Sequence, residues 1–143
     1  MSTTGLEALD TSVQKTNEWL RDFSECLKLP DRVAAWSGLR SALHALRDRL
    51  PADTSANFAA QLPLVLRGLF YEGYKPSRVP EAIRSRDEFV DKVESGLAYP
   101  LKGRGEDVIR SAFQVLSQHV TAGETRKIHD SLPEQIRELW PTN

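Results

Sequence analysis

Apolar residues recur along the chain in a three-four alternation that changes phase at the prolines. They fall first at Leu6, Leu9, Val13, Leu20, Phe23 and Leu27, with Thr16 in the vacant slot, and this is one face of an amphipathic helix. Trp19 and Cys26 widen the stripe. Pro30 ends it, because the residue before a proline is driven out of helical geometry. Asp31 is placed to cap a second helix. Its predicted buried stripe is Val33, Trp36, Leu39, Leu43, Leu46 and Leu50, with Arg40, Arg47, Asp48 and Arg49 offset towards solvent and Pro51 at its end. A third helix begins between Asp53 and Ser55, carries Phe58 and meets Leu62-Pro63, where it must kink or restart. Gly73 suits the left-handed position beyond its end.

Residues 74–85 contain Pro76 and Pro80 and little periodicity, which predicts an extended linker. From Arg86 the scheme returns. One helix carries Phe89, Val90, Val93 and Leu97 as far as Tyr99-Pro100. A turn over Gly103-Arg104-Gly105 leads to another with Val108, Ile109, Phe113, Leu116 and Val120. Gly123 is expected to break it, and a short helix from Glu124 reaches a second Leu-Pro at Leu132-Pro133.

The two Leu-Pro pairs anchor an internal repeat. Sliding the chain against itself by seventy residues aligns 18–70 with 88–140 without a gap. Identities include Glu18 with Glu88, Pro30 with Pro100, Arg40-Ser41-Ala42 with Arg110-Ser111-Ala112, Leu62-Pro63 with Leu132-Pro133, and Arg67 with Arg137. The expected fold is therefore all-α: two tandem three-helix units, 6–73 and 86–140, each with its third helix kinked at Leu-Pro. Neither unit buries three apolar stripes alone, so they are expected to share one core about a pseudo-two-fold axis, as one domain.

Composition narrows the chemistry. The single cysteine, Cys26, excludes internal disulfides and four-cysteine metal sites, and with no secretion-type leader it points to the cytoplasm. No apolar run reaches the roughly 18 to 20 residues that span a bilayer. A net charge of -1 provides no global field for nucleic acid or anionic lipid.

The doubled Leu-Pro-x-x-x-Arg-x-Leu-aromatic phrase, preceded by Arg-Ser-Ala in each half and followed in the first by Tyr71-Glu72-Gly73-Tyr74-Lys75-Pro76, resembles the bacterial family catalogued as domain of unknown function 2267. The likeness runs from about Val13 to Trp140. It implies a bacterial source and an all-α two-repeat fold, and no activity.

Arg67 and Arg137 are read as structural ion-pair partners of Glu18 and Glu88, or as an anion-binding pair in an inter-repeat cleft with Tyr71 and Tyr74 nearby. Neither glutamate is followed three residues later by His, so the di-iron helix signature is missing. His44, His119 and His129 lack ligand or catalytic spacing and are expected at the rim. Cys26, near a helix C-terminus, is read as a packing residue. Gly103-Arg104-Gly105 completes no phosphate-binding motif. The basic residues Arg32, Arg40, Arg47, Arg49, Arg78, Arg84 and Arg86 are interleaved with acids, which argues for a solvated face over nucleic-acid binding. No metal, cofactor or catalytic constellation is expected. The leading expectation is a non-enzymatic helical interaction module with a protein partner or a second copy of itself; small-ligand or anion binding between the repeats is the first alternative, and nucleic-acid binding the second.

Overall fold

The first amphipathic stripe becomes α1 (Glu7–Leu27), with Glu7 and Asp10 in its first turn, where carboxylates complement the helix dipole. It ends at Lys28, which takes the left-handed conformation (φ 56°) and donates its N–H to Glu25 O. A computed structural model describes residues 3–142, and the fold of these is helical throughout. After α1 come α2 (Arg32–Arg49), α3 (Ala52–Ala59), α4 (Leu64–Tyr71), α5 (Arg86–Glu94), α6 (Gly105–His119), α7 (Ala122–Asp130) and α8 (Glu134–Arg137), with a 3-10 turn over Pro76–Arg78.

Only the C-terminal part of the α1 stripe is covered. Thr16, Leu20, Phe23 and Leu27 are buried, whereas Leu6, Leu9 and Val13 are 60%, 40% and 43% exposed. The expected face of α2 is also shifted. Asp31 caps it as predicted, accepting from the Ala34 N–H at 3.0 Å, but Val33 is 77% exposed and Arg47 is buried. The reason is that α2 packs on α1, α4, α5 and α6 at once. It buries small residues on a second face, among them Ala34, Ala35, Gly38 and Ala42. Any side chain at Gly38 would press on Leu101 Cδ1, 2.8 Å from the position of its Cβ, and on the Phe23 ring.

Each Leu-Pro pair separates two helices instead of kinking one. Pro63 is the N-cap of α4 and Pro133 that of α8, both extended (ψ 148° and 151°), so each ring lies just before the helix it begins. Gly123 does not break a helix. It lies within α7, and the break falls at Val120-Thr121, where the Thr121 hydroxyl accepts from the Glu124 N–H. Residues 74–85 are also not a free extended linker. The Glu81 N–H donates to Asp48 O at 2.8 Å, Arg49 Nε donates to Ile83 O at 2.6 Å, and Lys92 holds both Asp48 and Glu81.

Buried side chains from Trp19 to Leu139 form a single connected cluster that includes Phe23, Phe58, Phe70, Phe89 and Phe113. Contacts cross between the halves: α1 packs on α6, α5 on α2, α2 on α6, and α3 on α7. Each fully buried aromatic or leucine contributes roughly 1.5–3 kcal/mol relative to exposure, so neither half retains its full stabilisation without the other.

Candidate functional site

The Leu-Pro turns carry the repeated arginines, and their partners differ from the expected ones. Arg67 donates to the carbonyls of Ala59 (3.0 Å), Ala60 (3.2 Å) and Leu62 (3.1 Å). Arg137 donates to those of His129 (3.2 Å), Asp130 (3.0 Å) and Leu132 (2.7 Å). The three acceptors stand at matching positions in the two halves. They are carbonyls at and just beyond the ends of α3 and α7, where those of Ala59 and His129 also accept the N–H groups of Leu62 and Leu132. The predicted ion pairs with Glu18 and Glu88 are thus replaced by charge-assisted bonds to backbone, because a guanidinium beside a broken helix end finds several acceptors at once.

The two glutamates are used differently. Glu88 closes a capping box with Ser85 at the start of α5: its N–H donates to the Ser85 hydroxyl, and its carboxylate accepts from the Ser85 N–H. The Ser85 hydroxyl and N–H hold the Glu88 carboxyl below its usual range. In the first half, α1 continues for more than two turns before Glu18, so no helix start is there to cap. Glu18 faces an open cleft of about 560 Å³ instead.

That cleft lies between α1, the turn after α3 and the end of α6. Lys15, Glu18 and Trp19 line one wall, Gln61 to Leu64 with Arg67 another, and His119 closes it. The His119 ring stacks on Trp19 (centroids 4.8 Å apart, planes at 24°), and its Nε2 lies 2.7 Å from Asp22 Oδ2. Lys15 and Glu18 form no ion pair among the described residues. Arg137, Tyr71 and Tyr74 do not line this cleft, so the four residues expected to share one site are not brought together there. Tyr71 ends α4 and Tyr74 follows it, rings 5.6 Å apart, and the Tyr74 ring lies under the Arg47 guanidinium. Burial pushes the Tyr74 phenol above its usual range.

Arg47 is the residue most misplaced by periodicity. Its guanidinium donates to Phe70 O at 2.6 Å and to Glu72 O and pairs with Asp48, securing the end of α4. The neighbouring residues that could have marked it in the sequence are Phe70 to Tyr74, whose glycine-bounded helix end needs a donor. His44 is half-buried, not a rim residue: its Nε2 lies 2.8 Å from Leu69 O, and burial lowers its pKa. Most of the basic residues are also engaged. Arg32 donates to Asn17, Arg40 to Glu72, Arg49 to Ile83 O and Arg86 to Glu106, leaving Arg78 and Arg84 exposed. At the Gly103 turn, the backbone N–H groups of Gly103 and Gly105 are filled internally by the Glu94 carboxylate. Cys26 is half-buried, and burial pushes its thiol up. Among the described residues no three His, Cys, Asp or Glu side chains converge on a possible metal position, and no helix is long and apolar enough to cross a membrane.

The feature that sequence periodicity could not separate from the core is the apolar surface at the start of α1. Leu9 and Val13, with Leu6 at the N-cap, continue the spacing of the buried seam of Thr16, Leu20, Phe23 and Leu27, yet they remain largely exposed. The first turn of α4 adjoins it: the Val65 N–H donates to Ser12 Oγ at 3.0 Å, and Leu64 and Val65 are 53% and 38% exposed. One signal was available, since the second half has no stripe before Arg86 to match residues 6–15.

No curated protein matches the chain. A family model described as an uncharacterized conserved protein (DUF2267) matches residues 16–139, beginning at the point where α1 enters the core. Its match covers both Leu-Pro turns and all of α2 to α8, and the chain belongs to this family.

Proposed function

We propose that the chain is a non-enzymatic helical interaction module whose partner-binding face is the first two turns of α1 with the start of α4. Its body is two four-helix units, 6–73 (α1 to α4) and 86–140 (α5 to α8), joined by the pinned segment 74–85 and related by a pseudo-two-fold axis. The exchange pattern of the packing supports that symmetry: α1 on α6 answers α5 on α2, while α2 on α6 and α3 on α7 are self-matched. Cys26 as the sole thiol fits the reducing interior of a bacterial cell, where we place the module.

One observation carries the reading. Ser12 and Thr16 are buried on α1, while Leu9 and Val13 on the same helix are 40% and 43% exposed and Leu6 at its N-cap 60%, and an exposed apolar strip of that kind marks an interface. The test is gentle purification from the native cell followed by intact-complex mass spectrometry. Wild type is expected to carry a bound protein chain, and Leu9→Asp/Val13→Asp to lose it with unchanged melting temperature. A wild-type chain that emerges bare would remove the reading.

A second reading has its own observation. Lys15, Glu18, Arg67 and His119 line one cleft from both halves, which suits a small ligand carrying an anionic group. A small molecule retained in the same spectra, and lost in Lys15→Ala, would favour it. Nucleic-acid binding receives no comparable support, since most of its candidate arginines are bonded within the fold.

A further inference from the structure

Resting on the interaction-module reading, we propose that the occupant of this face is a second copy of the chain, docked α1 against α1 in antiparallel orientation. The seam positions 6, 9, 13, 16, 20, 23 and 27 follow a three-four repeat, the spacing by which one helix accepts the side chains of another. Over residues 16–27 the fold itself supplies the opposing surface. Over residues 6–13 a helix is the matching occupant.

Orientation follows from where the body sits. It covers the seam of α1 fully from Thr16 on and reaches as far as Ser12 through α4. A partner helix running parallel would carry its own body to the same end, onto the same side, and the two would collide. Antiparallel pairing sends each body past the other's N-terminus, with Leu9 of one copy facing Val13 of its partner. The contact is isologous, as a two-fold dimer requires.

The area fits. The exposed parts of Leu6, Leu9, Val13, Leu64 and Val65 amount to roughly 400 Å², close to the apolar share of the ~800 Å² that each partner gives to a standard interface. A net charge of -1 offers little repulsion between copies. The α1 part of the patch also lies where the two halves differ: residues 6–15 are outside the matched span, which starts at residue 16, and their counterparts 76–85 form no α-helix.

Sedimentation equilibrium of the purified chain over roughly 1–200 µM tests this. The expected result is a mass of twice 16.1 kDa, returning to the monomer in Leu9→Asp/Val13→Asp and unchanged in Val33→Asp, which alters an exposed apolar residue off the face. Melting curves of all three establish that they are folded. As a second measurement, an equimolar mixture of Leu9→Cys and Val13→Cys chains, each with Cys26→Ala, is expected to form a mixed disulfide dimer on mild oxidation. A wild type that stays at 16.1 kDa throughout overturns self-pairing while leaving a different partner for the face. A dimer that survives Leu9→Asp/Val13→Asp overturns both self-pairing here and the face itself.

Discussion

Arg67 and Arg137 hold their turns through the same three carbonyl positions, yet the two turns look out on different surroundings. Around Arg67, α1 has been prolonged past the point where its counterpart α5 begins, so Glu18 loses the capping role that Glu88 keeps. The prolonged helix raises one wall of a cleft and presents an uncovered apolar seam. Around Arg137 the described residues include no such prolonged helix or seam, the neighbouring cleft is formed instead by α6, α7 and Trp140, and α8 lasts a single turn. The turns that match in sequence are bonded alike, and the exposed apolar seam of α1 lies where that sequence match ends.

The difference can be broken most severely at Arg47, which has Ser117 at its place in the second half. Arg47 alone satisfies the carbonyls of Phe70 and Glu72 from within the core. Arg47→Ala should cost about 3 kcal/mol, since two charge-assisted bonds go and the buried Phe70 carbonyl is left unpaired. In a chain of this size that is a fall of roughly 10 °C in melting temperature. Arg47→Lys should recover only part, because one ammonium lacks the planar fork. A loss near zero in calorimetry would mean that the end of α4 is held by packing alone.

The comparison is sharpened by its shared element. Arg67→Ala and Arg137→Ala should each lower stability by about 1–2 kcal/mol and by similar amounts, measured by urea denaturation. A markedly smaller effect at Arg67 would free its guanidinium for the neighbouring cleft and revive the ligand reading.

Much of this was legible from spacing. The prolines placed the helix ends, Asp31 its cap, and the seventy-residue shift the paired turns, because those signals are local and chemical. The shift of α2 was not legible, since a helix with neighbours on two faces buries Ala34, Ala35 and Gly38 along with its leucines, and single-stripe periodicity misses small residues. Arg47 was assigned to solvent for its charge, although its partners lie more than twenty residues away and become visible only in three dimensions. The α1 seam failed in the opposite sense: period alone predicts a buried face for Leu6 as readily as for Phe23. The site therefore escaped where it depends on which parts of a regular pattern find a neighbour.

The mildest contrast is His44, whose counterpart is Gln114. Burial lowers the pKa of His44 from its reference of 6.5, with Arg47 and Arg40 lowering it further, and the bond to Leu69 O and the charge of Glu72 opposing. The folded state thus prefers the neutral ring, while the unfolded chain takes up the proton first as the pH falls. Stability contributed by the neutral ring is present above about pH 6.5 and is lost as the pH drops below it. The carboxylates of Glu72, Glu88 and Glu106, held below their usual range by Arg40, Ser85 and Arg86, respond only at lower pH. Between roughly pH 7 and 5 the melting temperature of wild type should therefore fall more steeply than that of His44→Gln, whose amide still donates to Leu69 O as the imidazole does. Parallel slopes for the two proteins would show that the ring is solvated well enough to titrate alike folded and unfolded, and that the first half gains nothing from it over the glutamine of the second.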